Sequence, residues 1–177
     1  MAVDPLSTSF GGSRRPLARA VMRELRALST AQDRLDQYGA HRFGLNRTDY
    51  RALDLIGQAG SISPTELAAA LGMSTGATSV VLDRLEAAGY AGREPDPDHR
   101  RRTRVRMSAR AEELGTEIFA PVIRGTVEQA AAYPDAILAE IAEFLAAHRA
   151  FLDRYLTAAA AIVDDGIDEL PDDPQPG

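Results

Sequence analysis

The 177 residues, 45% hydrophobic and 26% charged, suffice for one compact domain with tails and leave no room for a second catalytic domain. The absence of Cys excludes disulfides, thiolate nucleophiles, Cys-ligated zinc and thiol-based redox sensing, and with no Trp and 6% aromatics the core must be aliphatic. The net charge of −6 conceals an asymmetry: residues 1–110 carry 17 Arg against 12 acids (+5), residues 111–177 carry 3 Arg against 14 acids (−11), and Lys does not occur.

Met1–Phe10 has neither the basic nor the apolar region of a signal peptide, and no apolar run reaches the roughly 18–20 residues of a bilayer span, so a cytoplasmic protein without a membrane partner is expected. Residues 1–15, rich in Ser, Gly and Pro, read as a disordered leader. Leu17, Val21, Leu25, Leu28, Leu35 and Tyr38 then fall at helical spacing behind Pro16, predicting a long amphipathic helix from Pro16 to about His41, with Gly39 and Gly44 bracketing its end. Asn46 offers an N-cap with Asp49 three residues on, and Tyr50, Leu53 and Ile56 mark a second helix that Gly57 and Gly60 close.

Ser63-Pro-Thr-Glu66 is a capping box with Pro at the first helical position, and Gly72 stops the short helix it opens. Ser74 caps the next helix, with Val80, Val81, Leu82 and Leu85 expected on its buried side and Gly89 at its end. Two helices joined by the tight Gly72-Met73 turn form a helix-turn-helix. Tyr90–Glu94 and Thr103–Met107 predict a hairpin with a charged tip, Pro95–Arg102. Ser108 caps a further helix in which Pro121 predicts a kink or a break into two pieces. Pro134 opens a last helix out to about Val163, with a broad apolar face from Ile137 to Leu156, and residues 164–177 read as an acidic tail.

The fold class is therefore mainly α with a small β-hairpin (α+β), in the winged helix-turn-helix arrangement. Between Arg84 and Arg110 stand eight Arg against Glu86, Glu94, Asp96 and Asp98, a local excess of +4 placed where a wing meets phosphates. A solvated hairpin whose Arg residues protect a strand edge is the plainer alternative, and the position directly after a helix-turn-helix favours DNA. The second helix of the motif would enter the major groove by its first turns, which present Ser74, Thr75, Gly76, Ala77, Thr78 and Ser79. Hydroxyls and free backbone N–H groups suit phosphate oxygens, whereas direct base reading is modest without Arg, Asn or Gln. Ser74 and Thr75 also have a purely capping role open to them, and Arg84, later on the same helix, meets a phosphate or an internal acid.

These residues resemble the MarR-type transcriptional regulators. The resemblance runs from about Pro16 to Leu156 and is most specific in residues 63–74, in Val81–Tyr90, and in the wing from Arg93 to Arg102 leading to Val105–Ser108. It implies that Arg100 reaches into the minor groove while Asp98 orients its guanidinium, with Arg101, Arg102 and Arg104 alongside. It also implies a winged helix-turn-helix over about 46–108 flanked by dimerisation helices over about 16–41 and 109–163, hence a homodimer on a pseudo-palindromic operator in double-stranded DNA with recognition helices roughly 34 Å apart. Release by a small aromatic ligand is implied as well, with Tyr38, His41 and Arg42 as candidate pocket residues. Departures are Ser79, where many members carry a basic residue, His99 between Asp98 and Arg100, and Ala111 where Gly is common.

No Gly-rich phosphate loop, metalloprotease pair or nucleophile elbow occurs, so no enzyme and no cofactor are expected. His41, His99 and His148 lack metal-ligand spacing. The expected function is a DNA-binding transcriptional repressor; the alternative is a winged-helix protein-interaction module that antagonises another regulator without specific DNA binding.

Overall fold

The computed structural model describes residues 15–96 and 102–164. The expected leader up to residue 14, the tail from residue 165, and the wing-tip residues Asp98, His99, Arg100 and Arg101 lie outside the described residues. Six helices and one hairpin follow in order: α1 (Arg15–Phe43), α2 (Arg47–Ala59), α3 (Pro64–Leu71), α4 (Thr75–Ala87), β1 (Ala91–Pro95), β2 (Thr103–Met107), α5 (Ala109–Ala130) and α6 (Asp135–Asp164). The chain divides into two compact units, one up to Ala120 and one from Pro121.

In the first unit the local signals act as their chemistry dictates. Asn46 accepts a hydrogen bond from the Asp49 amide (2.9 Å) and Ser74 from the Ala77 amide (3.2 Å). Ser63 and Glu66 satisfy each other's backbone N–H groups in a reciprocal box. Gly72 takes the left-handed conformation (φ 65°, ψ 36°) that lets α3 stop and α4 start within a few residues, a geometry that disfavours any residue with a Cβ. Leu53 and Ile56 of α2, Leu67 of α3, Val81, Leu82 and Leu85 of α4 and Val105 of β2 are all but completely buried together. Each such aliphatic side chain contributes about 1.5–3 kcal/mol of burial, which is what binds three short helices into one body.

The hairpin is antiparallel, with Ala91 opposite Met107 and Pro95 opposite Thr103. Asp96 N–H donates to the Arg102 carbonyl (2.8 Å), carrying the ladder one step toward the tip. At the base, Ile62 and Val105 exchange both backbone hydrogen bonds (3.1 and 2.8 Å), adding a one-residue third strand from the segment before α3.

Several expectations are corrected. Helix α1 ends at Phe43, inside the bracket of Gly39 and Gly44, two residues beyond the expected His41, and stops at Gly44 (φ 66°). Gly39 lies within the helix because the Tyr50 ring packs where its Cβ would stand. Gly57 is likewise interior to α2, facing the Met107 methyl, and Gly60 is the actual cap. Val80, expected on the buried side of α4, is 53% exposed. Helix α5 continues through Pro121 and is not broken into two pieces. One missing i→i−4 bond is tolerated in a helix otherwise complete.

The second unit holds the rest of α5 and all of α6. No side chain of residues 121–159 is buried. Val122, Ile123 and Val127 on α5, and Ile137, Ile141, Phe144, Leu145, Phe151, Leu152, Tyr155 and Leu156 on α6, are exposed. Among the described residues no helix is long and apolar enough to cross a membrane.

Candidate nucleic-acid interface

The site is built on α4. Its inner face is Thr78, Val81, Leu82 and Leu85, and its outward face carries Thr75, Gly76, Ser79, Val80 and Asp83. Thr78 was expected among the DNA-facing hydroxyls and is corrected: it is fully buried, and its hydroxyl donates to the Ser74 carbonyl one turn back (3.0 Å). Ser74, Thr75, Gly76 and Ser79 remain exposed at the start of the helix.

Arg84 takes the internal-acid alternative. Its Nε and Nη2 donate to the two carboxylate oxygens of Asp49 (2.8 and 2.5 Å), a bidentate pair that ties α4 to the first turn of α2. Asn46 Nδ2 gives the same carboxylate a further hydrogen bond (2.7 Å). Asp49 is buried while about half of the Arg84 side chain remains accessible. The Asp49 carboxylate raises the pKa of Arg84 above even its ordinary high value, so this cation is permanent. Sequence reasoning saw Asp49 only as a first-turn acid; its burial within an otherwise apolar helix face was not signalled.

Arg93, Arg104 and Arg106 of the wing region are likewise paired with acids. Arg93 lies between Glu86 and Asp83, the latter 2.9 Å away. Arg104 donates to the Ser61 carbonyl (2.7 Å) and hydroxyl (3.1 Å) and pairs with Glu66 (3.2 Å). Arg106 pairs with Glu94 across the hairpin, and the Arg110 guanidinium stands 5.1 Å from the centre of the Tyr90 ring. Arg102 is exposed beside the wing tip. Four of the eight Arg, Arg84, Arg93, Arg104 and Arg106, are thus paired with carboxylates in place, and the pairs of Arg104 and Arg93 brace the wing against α3 and α4. Glu66 is held below the usual carboxylate range chiefly by the Ser63 backbone N–H and hydroxyl, then by Arg104 and Arg102.

Of the candidate pocket residues, the structure brings two together. Arg42 Nη1 donates to the Tyr38 hydroxyl (2.8 Å) and its Nη2 faces Glu117 of α5 (3.4 Å). His41 is exposed in the last turn of α1. Among the described residues no group of three His, Asp or Glu is placed to hold a metal.

A three-helix core, a short Gly-turn between α3 and α4, an outward-facing α4 and a braced two-stranded hairpin define a winged helix-turn-helix protein. Residues 43–102 match the MarR family. The uncharacterized HTH-type transcriptional regulator YcgE of Bacillus subtilis (strain 168) is 32% identical over 137 residues, covering 77% of this chain and 89% of that protein. In fold, the chain is similar to the transcriptional regulator Tm0710 from Thermotoga maritima (TM-score 0.53, 22% identity, 78% of this chain and 98% of that one). It is also similar to the MarR family transcription regulator SP03579 (TM-score 0.53, 22% identity, 83% and 94%). The chain belongs to the MarR family of transcriptional regulators.

Proposed function

We propose that the chain is a sequence-specific DNA-binding repressor that acts as a homodimer on a pseudo-palindromic operator and is released by a small aromatic molecule. The observation that carries this reading is α4 itself: one face is locked into the core and clamped through Arg84–Asp49, while the small polar residues of its first turns are left outward. Such a surface can approach a groove closely and offers hydroxyls and backbone N–H groups to phosphate oxygens. The exposed apolar stripe of α6 supports dimerisation, because a face of that extent is ordinarily covered by a partner. Tyr38, Arg42 and Glu117, with His41 nearby, offer an aromatic ring and mixed charge suited to a phenolic or carboxylated ligand.

Fluorescence anisotropy with DNA from upstream of the chain's own gene and with scrambled DNA, at two salt concentrations, tests the reading. Tight, salt-sensitive preference for the upstream duplex is expected, and Arg100→Ala should weaken it by about 1–3 kcal/mol. Internal pairing of Arg84, Arg93, Arg104 and Arg106 favours one rival, a winged-helix interaction module that antagonises another regulator. Equal, weak binding to both duplexes, and to duplexes drawn from the rest of the genome, would make that rival the leading reading.

A further inference from the structure

We infer that Val80 is a specificity-determining residue that reads the 5-methyl group of thymine in the major groove; the inference rests on the DNA-binding reading above. Between Tyr38 and Val122, themselves exposed, Val80 is the one large apolar side chain that the described residues leave exposed. It stands opposite the buried face of α4, one turn after Gly76, whose missing side chain leaves open space beside it. From α2 to β2 every other Leu, Ile, Val and Met of the described residues is buried or half-buried, so one isopropyl group kept in water there calls for a reason. A groove of about 920 Å³ runs beside it, lined also by Asn46, Arg47, Thr48, Ala77 and Arg84.

The chemistry of that face narrows what it recognises. The outward side chains of α4, Thr75, Ser79, Val80 and Asp83, include no Arg, Lys, Asn or Gln to make a bidentate bond to guanine or adenine. Asp83, which would accept from the cytosine amino group, is paired with Arg93. The hydroxyls of Thr75 and Ser79 bond to any base without strong preference, so discrimination is left to apolar contact, and the thymine methyl is the apolar group that a base pair presents in the major groove.

Uracil isolates this contact, since it keeps the pairing edge and O4 of thymine and lacks only the methyl. The full chain is used to enrich a site from a duplex pool with a random core, and each thymine of the enriched site is then replaced singly by deoxyuridine. One replacement per half-site is expected to weaken binding by about fourfold, the equivalent of one methyl lost from an apolar contact. Val80→Ala, an exposed substitution whose helicity and melting are checked by circular dichroism, should bind the thymine and uracil forms equally. An enriched site indifferent to uracil at every position overturns the inference and leaves DNA binding standing. A thymine preference that survives in Val80→Ala assigns the contact to another residue and overturns it too. If no site is enriched, specific DNA binding fails, and this inference fails with it.

Discussion

The winged helix-turn-helix and the second unit treat apolar surface in opposite ways. Up to Ala120 the winged helix-turn-helix closes its core within one chain, with Leu53, Ile56, Leu67, Leu82, Leu85 and Val105 at 0–1% exposure. From Pro121 onward nothing through residue 159 is buried, although the side chains there are as apolar. The same chemistry therefore serves two ends. From α2 to β2 burial defines a shape and needs no other molecule; on α6, and on α1 at Leu17, Val21, Met22 and Leu28, apolar surface stays in water with burial energy still to gain.

Substitutions can break that contrast, and the largest effect belongs to the closed core. Leu82→Ala should cost about 2–5 kcal/mol in urea unfolding, independent of protein concentration, because the cavity lies where neighbours cannot collapse. Asp49→Ala comes next, at about 1–3 kcal/mol, since it removes the acceptor for Arg84 and Asn46 at a buried position. A double replacement, Asp49→Leu with Arg84→Met, should recover part of that loss, because the stranded charge is then gone as well.

A smaller and conditional effect comes from Tyr50. Burial first, and then the carboxylates of Asp54 and Asp36, push its phenol up to about 12 from the ordinary 10.0. The unfolded chain ionises near the ordinary value while the folded one holds its proton. The contribution is whole below that value and is lost as pH rises from about 10 toward 12. Tyr50→Phe should flatten stability against pH in that window, measured by chemical unfolding at a series of alkaline pH values. The smallest change in unfolding is expected from Leu145→Ala on α6, within about 0.5 kcal/mol at high dilution. If the proposed dimer forms through α6, the effect of this substitution should appear as weaker self-association in sedimentation velocity, and an unchanged association constant would count against α6 as that interface.

Much of this fold was legible because its signals are local. Asn46, Ser63 and Ser74 cap helices since each side chain answers an amide two or three residues away, and Gly72 breaks α3 through its own φ. The strand Thr103–Met107 alternates as its burial does, with Val105 innermost. Part of what the sequence hides depends on residues distant in the chain, and part on the angle a residue takes around its helix. Gly39 resembles a stop signal until the ring of Tyr50 is placed against it. Arg84 resembles a phosphate ligand until Asp49, 35 positions earlier, is folded beneath it. Thr78 has the composition of a groove-facing residue, but its hydroxyl is satisfied within its own helix and its methyl is free to join the core. Val80 was misread for the converse reason, because an aliphatic residue in a buried-looking run signals core unless its helical angle is counted.

The exchange of hydrogen bonds between Ile62 and Val105 carries a kinetic consequence. The pair closes a loop that contains α3, α4 and β1, so the wing cannot acquire its third strand until those pieces have collapsed. Long-range closure of this kind is paid for in chain entropy before any contact rewards it, and so comes late in folding. The Val105 amide should accordingly exchange with solvent only when the whole helix-turn-helix opens, which makes one backbone proton a reporter on the lifetime of the entire DNA-reading unit.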